Sequence, residues 1–279
     1  MRYREFAPDP ALDGVVYRFW MLEGAARPGA AFERAMPDGR PELIFNLADP
    51  FERLESGAPE RQPAALLIGP TTRALRVRPT GRIDLVGVRL APGRWPALLD
   101  VAAGELLDRA LDLPEASWRW REDLLEPLAG AGSAAGRIAL LERRLLRALA
   151  RGHAGDRRPD PRLHAALRVT LASRPRPPVP RLADLAGVSE RHLGRLFRSG
   201  TGMGPRLLGR LGRFQRVLAE LERPGPVRWA ALAHRHGYAD QAHLCRDFRR
   251  FGGISPARYL AAARDMARHF IDREPAAGR

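Results

Sequence analysis

Arginines recur at matching positions in two similar segments near the C-terminus of the chain. Residues 189–205 read SERHLGRLFRSGTGMGP, and residues 240–256 read DQAHLCRDFRRFGGISP. A shift of 51 positions aligns Arg195 with Arg246, together with a histidine, a leucine, a phenylalanine, a glycine and a proline. Arginine can donate two hydrogen bonds to a guanine, and glutamine can bind an adenine in a similar way. These residue types therefore favour recognition of bases and phosphates over catalysis.

The elements that must position these arginines are short helices and glycine turns. Ser189 and Asp240 can each cap the start of a helix, and Gly187 and Gly237 can form the turns before them. A short helix, a turn and a second helix, present twice, predict two helix-turn-helix units. We expect seven helices in this half of the chain, near 162–173, 181–186, 189–199, 205–222, 229–236, 240–250 and 256–270.

The apolar residues of each segment predict which side of its helix is buried. Leu193, Leu196 and Phe197 follow helical spacing, and we expect them to pack against Leu182 and Leu185. The remaining positions then face outward.

In the second segment Leu244, Phe248 and Phe251 take the inward positions. The outward faces together give the candidate DNA-binding residues, which are Arg191, Gly194, Arg195, Arg198, Gln241, Ala242, Cys245, Arg246, Arg249 and Arg250.

The arginines on these faces have different predicted roles. An isolated surface arginine is most often only solvated, but Arg195 and Arg246 occupy equivalent positions, which favours base recognition. Arg198, Arg249 and Arg250 come later in their helices and are expected to contact phosphates. The intervening helix at 205–222 would span ~27 Å, which suits two recognition helices near one DNA turn, about 34 Å, apart.

The net positive charge of the chain lies in its C-terminal part. All 47 basic residues are arginine, and the net charge is +15. Residues 1–150 carry 21 arginines and 21 acids, whereas residues 151–279 carry 26 arginines and 11 acids. A composition bias acting on the whole chain would not produce this asymmetry, but a polyanionic partner such as double-stranded DNA accounts for it.

The N-terminal part predicts a different class of structure. Short β-rich runs at 15–22, 43–47, 64–68, 74–78 and 82–90 are separated by glycine and proline, which indicates a β-sandwich or barrel. Helices are expected at 113–128 and 133–151. The fold class is therefore α+β, with a β-rich sensor or dimerisation domain at 1–150, a linker at 151–160 and an all-α DNA-binding domain at 161–270.

Several classes of chemistry are excluded or disfavoured. All seven histidines lie after residue 150, and Cys245 is the single cysteine, so the N-terminal part lacks a histidine metal site, a Ser-His-Asp triad and a cysteine nucleophile. Asp38 and Glu42 remain candidate acid–base groups, although a turn at 37–39 is favoured. We expect no catalytic residue, metal or cofactor. No apolar leader or membrane span is evident, so a cytoplasmic location is expected.

Residues 161–264 resemble the DNA-binding domain of the AraC/XylS transcription regulators. The resemblance rests on LADLAGVSERHLGRLFRSGTGMGP and LAHRHGYADQAHLCRDFRRFGGISPARYL. It implies seven helices in two helix-turn-helix units. By position it places base contacts at Arg191, Gly194 and Arg195 and at Gln241, Ala242 and Arg246. At Gly194 and Ala242 this sequence lacks the long polar side chain that could form a hydrogen bond with a base.

The segment MPDGRPELIFNL and the later run IGPTTRALRVRPTGRIDLVGVRLAPG resemble an N-terminal domain often fused to this module. The function of that domain is undefined, and the resemblance suggests a cupin-like sensor or dimerisation domain. Trp20, Phe45, Arg89 and Trp95 could line a pocket, although a core role is favoured for most of them. The apolar stripe of 133–151 could pair two subunits or pack within one chain.

The sequence thus predicts a non-enzymatic transcription regulator, more often an activator, that binds double-stranded DNA. RNA polymerase, a small-molecule effector and a second copy of the chain remain open as partners. The alternatives are an enzyme tethered to DNA, such as an alkylation-repair protein, and a DNA-binding scaffold. Cys245 could permit redox sensing, but a small inert side chain is favoured there.

Overall fold

The computed structural model describes residues 1–27, 29–55, 57–99, 101–116, 120, 123–150, 160–173, 177–223 and 225–262. The β-strands lie in the N-terminal part: β1 (Arg2–Phe6), β2 (Val16–Ala25), β3 (Glu33–Ala35), β4 (Glu42–Asn46), β5 (Phe51–Arg53), β6 (Glu60–Arg61), β7 (Ala65–Ile68), β8 (Leu75–Pro79), β9 (Arg82–Leu90) and β10 (Ala110–Asp112). The helices are α1 (Leu113–Ala116), α2 (Leu125–Gly130), α3 (Ala134–Ala150), α4 (Pro161–Ala172), α5 (Val179–Leu185), α6 (Glu190–Thr201), α7 (Pro205–Leu221), α8 (Trp229–Arg235), α9 (Gln241–Gly252) and α10 (Pro256–Ala262). The predicted linker falls largely at 151–159, and the end of the last predicted helix at 263–270; both lie outside the described residues.

Two antiparallel sheets confirm the predicted β-rich fold. One has six strands in the order β1-β2-β9-β4-β7-β10, and the other has four in the order β3-β8-β5-β6. Side chains alternate between the two sides of β9: Ile83 and Leu85 join the core between the sheets, while Val86 and Val88 join the core beneath the helices. The large sheet is therefore covered on both faces.

Helix α3 covers the outer face of the large sheet. Ser133 caps its start, since the Ser133 Oγ accepts a hydrogen bond from Gly136 N at 3.1 Å. The predicted stripe of Ile138, Leu141 and Leu145 is buried in the core of the same chain. Of the two alternatives for this stripe, the structure therefore shows packing within one chain.

The helix expected at 113–128 differs from the structure. The described residues form the short α1 and α2, and Asp123 and Leu124 between them are not helical. Pro127 lies in the first turn of α2, where its missing N–H costs nothing; in a continuous helix it would remove a hydrogen bond.

The seven C-terminal helices form one core that includes a residue of the N-terminal part. Phe197, Phe214 and Phe248 lie at its centre, each fully buried. Met36, which follows β3, is buried in the same core. None of the described helices combines the length and apolar character that a membrane crossing requires.

Candidate nucleic-acid interface

The first candidate recognition helix, α6, has well-defined ends. The Ser189 Oγ accepts a hydrogen bond from His192 N at 3.2 Å, which satisfies one of the free N–H groups of the first turn. Gly187 forms the preceding turn with φ +63°, and Gly202 ends the helix with φ +73°. Both glycines, which flank α6, therefore occupy the left-handed region.

The second candidate recognition helix, α9, repeats this geometry. Asp240 Oδ1 accepts a hydrogen bond from His243 N at 2.6 Å, and Gly237 and Gly253 have φ values of +71° and +68°. Helices α6 and α9 are both 12 residues long. The sequence repeat thus corresponds to a repeat of structure.

The buried faces agree with the prediction except at one residue. Leu193, Phe197 and Leu182 are fully buried. Leu185 is 52% exposed, so the expectation that it packs under α6 is wrong. Leu185 is the last residue of a seven-residue helix, and there it points away from the core that Leu182 enters.

In the second unit Leu244, Phe248 and Phe251 are all fully buried, as predicted. Phe214 of α7 contacts both aromatic rings, with ring centroids 5.0 Å and 5.4 Å apart. This aromatic cluster fixes α9 against α7 and leaves the opposite face of α9 outside.

The predicted contact residues lie on the outward faces of α6 and α9. The exposed ones are Arg191, Arg195, Arg198, Gln241, Ala242, Arg246, Arg249 and Arg250, and the partly buried ones are Gly194 and Cys245. Arg195 and Arg246 form no hydrogen bond or ion pair within the described residues. Their guanidinium groups are therefore available to another molecule.

Gly194 lies beside the side chain of a neighbouring arginine. A Cβ at Gly194 would lie 3.6 Å from Arg198 Nη1, so the Arg198 side chain lies back along the same outward face. The glycine has no side chain with which to bind a base, and the nearest cation on this face is Arg198.

Helix α7 holds the second unit through charged contacts. Arg210 Nη2 donates to Asp247 Oδ1 at 2.5 Å, and Arg213 Nη1 donates to the carbonyl oxygen of Gly237 at 2.9 Å. Asp247 is fully buried. Asp247 is not among the residues predicted from the sequence; its signal is an acid at the position where the first copy has the partly buried Leu196.

A second ionic contact joins α7 to α8. His236 Nε2 lies 2.7 Å from Glu220 Oε2, and Arg235 also pairs with Glu220. Burial lowers the pKa of His236 below its usual 6.5, although the Glu220 carboxylate opposes this shift. His236 therefore favours the neutral form, and protonation works against the folded state.

The candidate acid–base pair of the N-terminal part belongs to a buried ionic cluster. Arg89 Nε donates to Glu42 Oε1 at 2.6 Å and lies 3.4 Å from Asp38 Oδ2. Burial raises the pKa of Glu42, and Arg89 counteracts this. Asp38 Oδ1 also accepts a hydrogen bond from Arg40 N at 2.8 Å, which supports the favoured turn at 37–39.

Two neighbouring cavities lie in this region, and the smaller one adjoins the ionic cluster. The larger, about 500 Å³ including space open to solvent, lies between the sheets and is lined mainly by apolar side chains such as Trp20, Ile44 and Leu75. The smaller, about 390 Å³, is lined by Arg89 and its acidic partners and shares Leu75 with the larger. Of the residues expected at a pocket, Trp20 and Arg89 line these cavities, while Phe45 and Trp95 are buried in the core beneath the helices. No group of three or more histidine, cysteine or acidic side chains among the described residues could hold a metal ion.

Two helix-turn-helix units, each with an exposed arginine face, define a double helix-turn-helix DNA-binding protein. A family model described as a helix-turn-helix domain, of the AraC type, matches residues 182–262. A second model, a domain of unknown function named DUF6597, matches residues 4–112. Residues 182–262 therefore carry a helix-turn-helix domain of the AraC type, and the protein is a DNA-binding transcription regulator.

Comparison with curated proteins found no match. Among solved structures, ToxT from Vibrio cholerae matches with a TM-score of 0.47 and 9% identity, over 86% of this chain and 98% of that one. An unsaturated fatty acid bound form of wild-type ToxT from strain SCE256 matches with a TM-score of 0.44 and 10% identity, over 88% and 94%.

Proposed function

We propose that the regulator binds DNA sequence-specifically, with α6 and α9 of one protomer in two successive major-groove segments. The observation that carries this proposal is the exposure of Arg195 and Arg246 at equivalent positions of the two helices. A helix of this size fits the major groove, where arginine reads guanine with two hydrogen bonds. Gln241, in the first turn of α9, would read adenine.

The other outward residues would have supporting roles. Arg198, Arg249 and Arg250 lie in the last turns of their helices and would contact phosphates, which adds affinity and fixes the register. Gly194 and Ala242 let the backbone approach the bases closely. Cys245 would be an inert part of this surface.

The length of helix α7 would contribute to the separation between the two recognition helices. Its 17 residues span ~25 Å at 1.5 Å per residue, and it packs against both units. Neighbouring major-groove segments on one face of DNA are about 34 Å apart. One protomer can therefore contact both without a partner subunit.

Selection of duplexes from a random pool by the full-length protein tests this proposal, followed by footprinting of the selected sequences. We expect two protected patches per protomer, about one helical turn apart. A single patch would refute double reading, and equal affinity for selected and random duplexes would instead indicate a DNA-binding scaffold.

We also propose that the N-terminal part, bounded at residue 150, senses a small and mainly apolar effector. The support is the cavity of about 500 Å³ between the sheets, with Trp20 and Phe51 in its wall. Its lining is mainly apolar, as is usual for small-molecule sites. Binding of the neutral dye N-phenyl-1-naphthylamine should quench Trp20 emission in wild-type protein. An Ala35→Phe variant, which fills the cavity, should lose that response; equal binding by both proteins would contradict the proposed site.

The regulatory output is proposed as activation through RNA polymerase, on DNA in the cytoplasm. The apolar stripe of α3 is used within the chain, so a homodimer would need a different surface. Transcription from a promoter carrying a selected site, with purified polymerase, tests the sign: reduced transcript would indicate a repressor.

A further inference from the structure

The two recognition helices share a feature at their C-terminal ends. The last carbonyl groups of any helix lack partners within the helix. In α6 the carbonyl oxygen of Gly200 accepts a hydrogen bond from Gly93 N at 3.1 Å, and in α9 that of Phe251 accepts one from Ala74 N at 2.7 Å. Gly200 and Phe251 are equivalent under the shift of 51 positions. The N-terminal part thus binds the same atom of each recognition helix.

The first of these contacts, which we name the first anchor, comprises Gly93 and Ala103 against Gly200 and Gly202. A Cβ at Gly202 would lie 2.6 Å from the carbonyl oxygen of Ala103, closer than nonbonded atoms approach. A Cβ at Gly200 would lie 3.5 Å from the Gly93 backbone. Backbone therefore meets backbone here, and little freedom remains for α6 to slide.

The second anchor comprises Ala74 and Met36 against Phe251 and Gly252. Met36 is 4% exposed, and a Cβ at Gly252 would lie 3.3 Å from its sulfur. The hydrogen bond to Phe251 O and this close packing hold the end of α9 at two points.

Both anchors are linked by one short stretch of chain. Ala74 immediately precedes β8, and Gly93 follows β9 by three residues. β8 pairs with two strands of the small sheet and β9 with two strands of the large sheet. The distance between the anchors is therefore fixed by the paired sheets rather than by α7 alone. Gln215 of α7 adds a further link, because its Nε2 donates to the Pro37 carbonyl oxygen at 2.7 Å.

The proposed base-reading residues lie in the first two turns of the same helices. Arg195 and Arg246 remain exposed while the C-terminal ends are held. We propose that the N-terminal part fixes the separation and relative orientation of α6 and α9, and so determines the spacing that the protein accepts between its two DNA half-sites. This inference rests on the proposed double reading of DNA.

The test uses full-length protein and a duplex selected by it, with the spacer between the half-sites altered by one or two base pairs. One base pair rotates a half-site by about 35°. Affinity of the wild-type protein should therefore fall by about tenfold or more for a change of one base pair, as the contacts of one helix are lost. Wild-type affinity that is indifferent to spacing would overturn the inference.

Two equivalent substitutions give a matched pair. Gly202→Asn and Gly253→Asn impose the same left-handed cost, which asparagine tolerates best after glycine. At Gly202 the new Cβ would collide with Ala103 and open the first anchor, whereas at Gly253 it would meet only Arg34 Nε, at 4.0 Å. We expect Gly202→Asn to reduce the spacing preference to within about threefold, well below the wild-type loss, and Gly253→Asn to retain it.

Gly252→Leu provides an independent variant at the second anchor, should Gly202→Asn not fold. A leucine at this position would press against Met36 and should also reduce the dependence of DNA affinity on the length of the spacer. A folded anchor variant with the wild-type profile would overturn the inference. The proposed double reading would fail separately, through a single protected patch, whereas two patches with relaxed spacing in wild-type protein would reject only the role of the N-terminal part.

Discussion

Replacing Arg195 with alanine tests the assignment of base and phosphate contacts most directly. Arg195 is exposed and has no partner among the described residues, so its removal should change the free energy of unfolding by less than about 0.5 kcal/mol. A lost bidentate contact to guanine costs ~1–3 kcal/mol, which is about 5- to 150-fold in Kd. Arg246→Ala should behave in the same way at the other half-site.

Arg198→Ala is the matched control on the same helix. If Arg198 contacts a phosphate, its removal should weaken binding to selected and random duplexes alike. It should also reduce the slope of log K against log salt concentration by ~0.9. Arg195→Ala should leave random-duplex affinity nearer the wild-type value.

Fluorescence anisotropy titrations on selected and random duplexes, at several salt concentrations, measure these quantities. The reasoning is refuted if Arg195→Ala and Arg198→Ala lower affinity for both duplexes by equal factors. Duplexes with each base pair varied in turn add a second criterion: Arg195→Ala should relax preference at one position only.

Three further predictions concern single side chains. Gly194→Ala should raise the free energy of unfolding by up to about 1 kcal/mol, because alanine favours a helix more than glycine and the new methyl meets only ordinary contacts. Gly200→Ala in the same helix should give no such gain, because its Cβ would lie 2.3 Å from a leucine methyl. Equal changes in Tm for the two variants would contradict this prediction. As the pH falls below 6.5, the unfolded chain takes up a proton that the partly buried His236 resists in the folded state. Tm should therefore fall in the wild type and fall less in His236→Gln, with the exposed His234→Gln as the control; identical Tm profiles for all three proteins would exclude His236. Cys245→Ser should retain wild-type DNA affinity, and peroxide should not change the affinity of the wild type; a peroxide-dependent loss abolished by the substitution would make Cys245 a redox sensor.

The sequence predicted the helix-turn-helix units because their signals are local. Ser189 and Asp240 each cap a helix by accepting a hydrogen bond from the backbone N–H three residues later, and the turn glycines occupy the left-handed region that glycine favours. Local patterns did not settle Leu185, because a helix of seven residues shows too little periodicity to separate its faces. Five strands were missed, which are β1, β3, β5, β6 and β10. All but β1 have only two or three residues and no alternation of their own. Three of the five residues of β1 are charged, so it lacks the apolar character used to predict the other strands.

The remaining features depend on contacts between distant residues. Asp247 is stabilised by Arg210, 37 positions earlier, and nothing in the α9 sequence alone shows that pairing. Gln215 and Pro37 are 178 positions apart. A glutamine in the middle of an apolar helix is a weak signal of a buried hydrogen bond, but it does not identify the acceptor.

The two halves of the chain would influence DNA binding through different physical quantities. Residues 1–150 are electrically neutral, so they add little to the long-range attraction of a polyanion, which the C-terminal +15 supplies. The two anchors hold the recognition helices through uncharged residues of the N-terminal part, which are Gly93 and Ala103 at α6 and Ala74 and Met36 at α9. A substitution in the N-terminal part would therefore alter the positions of the DNA-binding arginines but not their number. Substitutions in the N-terminal part should consequently change the choice among DNA sites while the salt dependence stays constant, whereas substitutions of phosphate-binding arginines should do the reverse.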